Sequence, residues 1–346
     1  MPVFVKHLSR SEFVSKTSKI NSPRLPLLFI LFSIIGLAGL GLLFCWASPV
    51  GAWLFPKAPH AFFVRQAAAV GMGTAIAALM ALAGWRRCLA AGPWLMLAWL
   101  AMLVGAWCQP AVNGAHNWIT VGNLHVEVWS LFPIAFSLAA TWLYSREKIA
   151  NLLKSAREDA RPPQTVVPAL VACVAVVVMV LAMNVNRQEC VRTSPRPEAG
   201  AGAATQSSVE HAQSQFRAAF ADADWFAGKK VDLRHFPCVM TDGAMSASAL
   251  MFGKWFPATV FALLCLMGVG LALMARRTTD AAKRTFIVVA GVLVLVPAVN
   301  SFLVCLGVAP PFLTPVPLVS YGGTLAVGTL SVVGGLFAMA KEERGA

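Results

Sequence analysis

The chain has 346 residues, of which 58% are hydrophobic and only 12% are charged. Soluble domains carry about 25% charged residues, so this composition excludes a soluble globular enzyme. The formal net charge of +13 is typical either of a nucleic-acid-binding protein or of a membrane protein whose cytoplasmic loops retain Lys and Arg, and the position of the charges favours the second class.

Apolar blocks long enough to cross a bilayer recur along the chain, since a transmembrane helix takes about 20 residues. The first block is predicted to be a span rather than a cleaved signal, because it has no small-residue cleavage pattern. The predicted spans lie near residues 25–48, 67–85, 91–108, 128–145, 166–185, 255–275, 285–307 and 318–340. The sequence therefore predicts an all-α polytopic membrane protein with about eight transmembrane helices and no nucleic-acid partner.

Lys and Arg are concentrated in the segments that would face one side of the membrane. These segments are residues 1–24, Arg86-Arg87, 146–165, 276–284 and the tail 341–346. The positive-inside rule places them in the cytoplasm, so both termini are predicted to be cytoplasmic and the transmembrane domain to comprise residues 25–340. On the opposite side, 109–127 and 308–317 contain no Lys or Arg, and 186–254 is predicted to be one long outer loop.

Two of the eight cysteines, Cys190 and Cys238, flank the outer loop. Outside a bacterial plasma membrane the compartment is oxidising, and a disulfide between them would close the loop. Two free thiols are an equal alternative, and Cys108 is a competing partner. Neither the cysteines nor His116 and His125 show the spacing of a metal site, so no metal is predicted from them.

The carboxylates argue against a proton- or ion-coupled transporter, which usually has ionisable side chains inside its spans. All 15 Asp and Glu residues fall in predicted loops or at span ends. Asp242 stands out, because it precedes an apolar run, where partial desolvation would make its carboxylate a better base. Residue chemistry alone favours a helix cap formed by Thr241 or Asp242.

Basic side chains, including Arg234 and Lys254, share the outer region with Asp242. Arg and Lys in such a cluster could bind a diphosphate headgroup. For any single one of them a solvated or snorkelling side chain is the favoured alternative.

Three stretches resemble one family. They are Gly307–Pro310 with Pro315-Val316-Pro317-Leu318-Val319-Ser320-Tyr321-Gly322-Gly323-Thr324, then Gly114-Ala115-His116-Asn117-Trp118-Ile119-Thr120-Val121-Gly122, and Thr241-Asp242. They are similar to the last outer loop, the Gly-x-x-Arg-Trp-Ile-x-Leu-Gly signature and the Thr-Asp-Phe segment of the SEDS family. That family comprises the shape, elongation, division and sporulation proteins of the RodA, FtsW and SpoVE type. The stretch Phe63-Val64-Arg65-Gln66 with Gly73 is similar to the family's entry into its second span.

The resemblance implies a peptidoglycan glycosyltransferase that polymerises lipid II at the outer face of the bacterial inner membrane, in shape, division or sporulation. It implies a class B penicillin-binding transpeptidase as partner and a divalent cation, Mg²⁺ or Mn²⁺, as cofactor. Asp242 matches the family's catalytic Asp, which outweighs the cap. The substrate-binding residues predicted with it are Trp118, Gly122, Glu127, Arg234, Lys254, Ser320, Tyr321, Gly322 and Gly323.

The chain departs from the family after the Trp-Ile element, where the family reads Phe-Gln-Pro-Ser-Glu with a Lys three residues on. Here Ser130 stands at the Glu, Pro133 at the Lys, and Asn117 at the family's Arg. The family's fifth and sixth spans have no counterpart in the predicted set. Two functions follow: a divergent glycosyltransferase in which Glu127 substitutes for the lost carboxylate, or a non-catalytic lipid II-binding or scaffold protein. Lipid translocation is a third and weaker alternative.

Overall fold

A computed structural model describes residues 24–110, 116, 118–122, 124–145, 204–229, 233, 239–241, 243–309 and 315–345. The helices are α1 (Arg24–Ala47), α2 (Val50–Leu54), α3 (Ala61–Ala83), α4 (Trp85–Trp107), α5 (Phe132–Ser145), α6 (Ala204–Asp222), α7 (Ala244–Phe252), α8 (Trp255–Arg277), α9 (Ala281–Cys305) and α10 (Gly323–Gly345). A short antiparallel hairpin precedes α5, formed by β1 (Trp118–Val121) and β2 (Leu124–Glu127) and followed by a 3₁₀ turn, Val128–Leu131.

Within the described residues, seven helical segments are long and apolar enough to cross a membrane. They are α1, α3, α4, the 3₁₀ turn with α5, α8, α9 and α10. The predicted all-α polytopic fold is thus confirmed. The span predicted near 166–185 lies outside the described residues, so the count of eight stays a prediction.

The junction between α3 and α4 corrects the sequence-based boundaries, which placed Arg86 and Arg87 in a loop. Helix α3 ends at Ala83 and α4 begins at Trp85, so both arginines belong to the first turn of α4. Gly84 alone joins the two helices, at φ 86°. Glycine has no Cβ and adopts this left-handed conformation readily, which allows the chain to reverse within one residue.

The last span also begins later than predicted. The sequence places it at 318–340, whereas α10 starts at Gly323 and continues to Gly345. Residues 316–322 instead form an irregular turn in which Leu318 has φ 67°, a value outside the helical region. The apolar character of this segment is therefore used in packing against the bundle and not in extending the helix.

Helix α10 packs most closely against α3, through small residues. A Cβ added at Gly334 would lie 2.6 Å from the Cα of Ala77, and one at Gly73 would lie 3.1 Å from the Cα of Val327. Small residues allow helix backbones to approach in this way. Lipid tails are as apolar as the side chains, so helices in a membrane associate through such close packing and not through the hydrophobic effect. This contact fixes α10, and with it the turn that precedes α10.

Three of the basic segments predicted to be cytoplasmic, those with described residues 86–87, 276–284 and 341–345, meet at one end of the bundle. Arg86 Nε lies 3.1 Å from Glu342 Oε1, and Lys283 Nζ lies 3.3 Å from Glu342 Oε2. These ion pairs join the starts of α4 and α9 to the end of α10. The structure thus places these segments on one side, as the charge pattern predicts, while the orientation in a membrane stays a prediction.

At the opposite end, the described part of the predicted outer loop packs against α7 and α8. Lys229 N donates to Leu250 O at 2.8 Å, and Trp255 N donates to Trp225 O at 3.1 Å. A Cβ at Gly228 would lie 1.9 Å from Met251 O, so only glycine permits this approach. The region around α6 is therefore held against the end of the bundle where the candidate site lies.

Candidate functional site around the 316–324 turn

The 316–324 turn consists of the irregular residues 316–322 with Gly323 and Thr324 at the start of α10, and it contains Ser-Tyr-Gly-Gly. The hydroxyl of Ser320 holds it together. Val316 N donates to Ser320 Oγ at 3.0 Å, and Ser320 N donates back to Val316 O at 3.0 Å. Ser320 is only 1% exposed. Its hydroxyl therefore organises the turn from within, whereas the sequence predicts it to contact substrate.

The same turn is bonded to the residues that precede Asp242. Ser320 Oγ donates to Thr241 O at 3.2 Å, and Tyr321 N donates to Met240 O at 2.9 Å. Asp242 itself lies outside the described residues, between Thr241 and Gly243. The position of its backbone neighbour Thr241 is thus set by the turn.

Glu127 reaches the turn from the other side, at the end of β2. Its backbone N–H donates to Thr324 Oγ1 at 3.2 Å, and its carboxylate Oε2 accepts a hydrogen bond of 2.5 Å from Ser130 Oγ. Burial raises the pKa of the Glu127 carboxyl above its ordinary value, and the hydrogen bond from Ser130 partly opposes that rise. A carboxylate with a raised pKa is suited to proton transfer near neutral pH.

The β hairpin explains why the Trp-Ile-x-x-Gly element matters for Glu127. Trp118 pairs with Glu127 across the hairpin, so the two residues lie side by side at its base. Gly122 lies in the connecting turn at φ 60°, a conformation that glycine adopts without strain. Trp118 and Gly122 thus have a clear role in placing Glu127, which is distinct from the substrate contact predicted for them.

The remaining residues of the motif differ in their surroundings. Tyr321 packs edge-on against Phe62 with ring centroids 4.6 Å apart. A Cβ on Gly323 would lie 3.3 Å from the Cβ of Ala69, and one on Gly322 would lie 3.4 Å from Leu325. Tyr321 and Gly322 are partly exposed and remain the better candidates for substrate contact.

The basic residues predicted to bind diphosphate are not all at the turn. Lys254 Nζ donates to Ala221 O at 3.2 Å and lies 5.8 Å from the centre of the Phe220 ring. Its ammonium group therefore interacts with the carboxyl end of α6. Arg234 and the cysteines of the predicted disulfide, Cys190 and Cys238, lie outside the described residues, and Cys108 is an exposed free thiol.

The two histidines near the hairpin interact with neighbouring side chains and backbone. His116 stacks against Trp107, and its Nδ1 lies 3.0 Å from Gln109 O. His125 Nδ1 lies 3.1 Å from Thr120 Oγ1. Across the described part of the chain, no group of three or more His, Cys, Asp or Glu side chains could hold a metal ion.

Sequence reasoning did not single out Gln66 as a site residue. Its side chain is completely buried, and its Nε2 lies 3.4 Å from both Leu318 O and Ser320 O. Its Oε1 accepts from Gly322 N at 3.2 Å. The available signal was a long amide immediately before the predicted span 67–85, since a buried group of this kind needs internal partners.

The first half of the chain matches the model of a known protein family. The model of the cell cycle protein family of FtsW, RodA and SpoVE matches residues 26–191, which include the hairpin and Glu127. Over these residues the sequence is similar to the SEDS family.

Solved structures of this fold resemble the chain over most of its length. A chain from a peptidoglycan synthase complex that coordinates polymerization and crosslinking is 19% identical, with a TM-score of 0.62 over 91% of this chain and 97% of that one. The rod shape determining protein RodA of Thermus thermophilus matches as a single-residue mutant at 21% identity and TM-score 0.58, covering 90% and 96%. The unmutated RodA matches at 19% and 0.55, covering 90% and 96%.

No curated protein sequence matches the chain significantly. At 19–21% identity, the solved structures show a similarity of fold alone. Together with the family match they support a role in cell-wall synthesis for this multi-pass membrane protein.

Proposed function

We propose that this protein is a peptidoglycan glycosyltransferase that polymerises lipid II into glycan strands at the outer face of the bacterial plasma membrane. The observation that supports it most is the 316–324 turn, which bonds both to Thr241, beside Asp242, and to Glu127. One polar turn thus connects the two segments that carry the candidate carboxylates.

In the proposed reaction Asp242 accepts the proton of an acceptor sugar hydroxyl while that oxygen attacks the anomeric carbon of the donor. The bond from this carbon to the diphosphate oxygen breaks, and undecaprenyl diphosphate leaves with the electron pair. A positioned general base contributes about 10²–10⁴-fold to such a step. Arg234 is the candidate to stabilise the leaving diphosphate, because Lys254 already interacts with α6.

The alternative of a non-catalytic scaffold rests on the loss of the family's Glu, whose place is taken by Ser130. The structure bears on this alternative, because the carboxylate of Glu127 is hydrogen-bonded to the hydroxyl of Ser130. A carboxylate is therefore present beside the position where the family has one, supplied from three residues earlier. This favours the catalytic function over the scaffold.

A divalent cation is compatible with the carboxylates available. Mg²⁺ is usually bound by one or two carboxylates together with substrate phosphates, and Glu127 would be its candidate protein ligand. The cation would neutralise charge on the leaving diphosphate.

A class B penicillin-binding transpeptidase is the proposed partner, since one structural relative comes from a complex that coordinates polymerization with crosslinking. The partner would act on the strands that this protein releases.

The test is glycan polymerisation by purified protein supplied with lipid II, with and without a co-purified transpeptidase whose own active serine is replaced. Glycan strands resolved on a gel are the expected product. If lipid II is bound but no strand forms in either condition, the enzyme proposal is wrong and the scaffold replaces it.

A further inference from the structure

The amide of Gln66 is a buried polar group at the end of a membrane span. Placing an amide there costs several kcal/mol unless its hydrogen-bonding groups find partners inside the protein. Gln66 has three partners: the carbonyls of Leu318 and Ser320, and the N–H of Gly322. All three belong to the 316–324 turn, so both N–H donors and one acceptor site of this amide are directed at one structure.

The turn is a backbone that needs such support. Leu318 adopts φ 67°, which is unfavourable for a residue with a Cβ. Its carbonyl also approaches α1 so closely that a Cβ on Gly41 would lie 1.9 Å from it. An irregular backbone near membrane depth persists only where protein groups satisfy its N–H and C=O groups. Gln66 supplies donors for two carbonyls and an acceptor for one N–H, on both sides of Tyr321.

A displacement of the turn would also displace two other segments of the chain. Ser320 and Tyr321 hold Thr241 and Met240, and Thr324 holds the backbone of Glu127. The three hydrogen bonds of Gln66 go to the turn, so their influence on these segments passes through the turn.

We propose that Gln66 is a positioning residue, whose amide braces the 316–324 turn and thereby sets the geometry of the Thr241 and Glu127 segments. For catalysis this inference rests on the proposed function, because it assumes that these segments carry the reacting groups. The effect of Gln66 on the geometry of the turn does not depend on that assumption.

The first test compares Gln66→Met, which keeps size and removes every hydrogen bond, with Gln66→Glu, which keeps the acceptor and, when protonated, one donor. Polymerisation should show kcat lowered about 10- to 100-fold by Gln66→Met, because misplacement by about 1 Å costs about that much, with KM for lipid II nearly unchanged. Gln66→Glu should lie between that variant and wild type. Thr74→Val is the matched control, since Thr74 bonds only to Val70 O of its own helix, and it should behave as wild type.

The second test does not require activity. Hydrogen–deuterium exchange should be about tenfold faster in Gln66→Met over residues 316–324 and over the peptide containing Thr241, with exchange elsewhere in α3 unchanged. If Gln66→Met cannot be obtained folded, Gln66→Glu is measured by the same two methods, with smaller changes of the same direction expected. Wild-type exchange and wild-type kcat in the variant that folds would contradict the proposal that Gln66 supports the turn.

The two proposals fail in different ways. A wild-type protein that makes no glycan contradicts the proposed function, while the exchange experiment still decides the role of Gln66. An active wild-type protein whose Gln66 variants match it in rate and exchange contradicts only the brace. An equal loss of rate in Thr74→Val would also contradict it, because the effect would then follow from any change of α3.

Discussion

The hydroxyl of Ser130 donates a hydrogen bond of 2.5 Å to Oε2 of Glu127. In the SEDS family pattern a Glu stands where this chain has Ser130, so the carboxylate here comes from β2 and meets the replacement residue through that bond. Ser130 is buried, and the bond it donates favours the ionised form of Glu127. The two residues therefore form one hydrogen-bonded pair.

Exchanging the two side chains should preserve function better than removing the carboxylate. Glu127→Ser alone is expected to lower lipid II polymerisation about 10- to 100-fold, less than the loss of a primary base. The double variant Glu127→Ser with Ser130→Glu is expected to recover to within about tenfold of wild type. Polymerisation by purified proteins measures both. A double variant as slow as the single one would show that the two positions are not equivalent.

Glu127 should also make folding stability depend on pH. Because burial raises its pKa, the folded protein holds this proton more tightly than the unfolded chain, so stability falls as pH rises between the ordinary carboxyl pKa and the raised one. Glu127→Gln removes this loss, so its melting temperature relative to wild type should increase through that interval and then level off. Thermal unfolding in detergent from about pH 4 to about pH 8 measures the difference. A difference independent of pH would contradict the prediction.

Asp242→Asn keeps the shape of the side chain and removes the proposed base. Polymerisation should fall about 10²–10⁴-fold at unchanged expression and folding. Asp224→Asn is the control, because Asp224 is an exposed carboxylate of the same outer region whose backbone carbonyl alone contacts Lys254. Complementation in cells at matched expression provides an independent measure. Full activity of Asp242→Asn would favour the scaffold function.

Gly334→Ala should destabilise the bundle, since the added Cβ would lie 2.6 Å from the Cα of Ala77, which is backbone and cannot move aside. Overpacking of this kind costs about 1–3 kcal/mol. Gly39→Ala is the matched control, because nothing lies within 4 Å of a Cβ at that position. Denaturation in mixed micelles should show a lower midpoint for Gly334→Ala alone. Equal midpoints would mean that α3 and α10 separate easily.

The membrane orientation is tested with reporter fusions. Fusions at Ser155 and Ala201 should report the inside and the outside of the plasma membrane respectively, because four basic segments and the tail favour the cytoplasm. A cysteine introduced at Gly122, in the hairpin turn, should be labelled from outside by an impermeant reagent. Labelling of this cysteine only from the inside would show that the predicted orientation is wrong.

The sequence alone indicated the class of protein, the approximate position of seven spans and the resemblance to the SEDS family. A bilayer requires about 20 consecutive apolar residues per helix, which is a local property of the chain and is visible without its folded path. The Ser-Tyr-Gly-Gly motif is likewise contiguous, as is the Trp-Ile-x-x-Gly element, so resemblance to the SEDS family was visible before the fold was known. Helix ends were less predictable, because at Gly84 and at Leu318 single backbone conformations decide where a helix starts.

Only the tertiary structure decided which polar groups meet. Gln66 and Gly322 are bonded although they are far apart in sequence, and nothing in the polarity of either residue identifies the other. The same holds for Glu127, whose backbone reaches Thr324 because the backbone of Ser130, just after the hairpin, packs closely against Gly328 of α10. A hydrogen bond acts over about 3 Å, so its partners depend on how distant segments pack, whereas membrane insertion depends on the composition of each segment by itself.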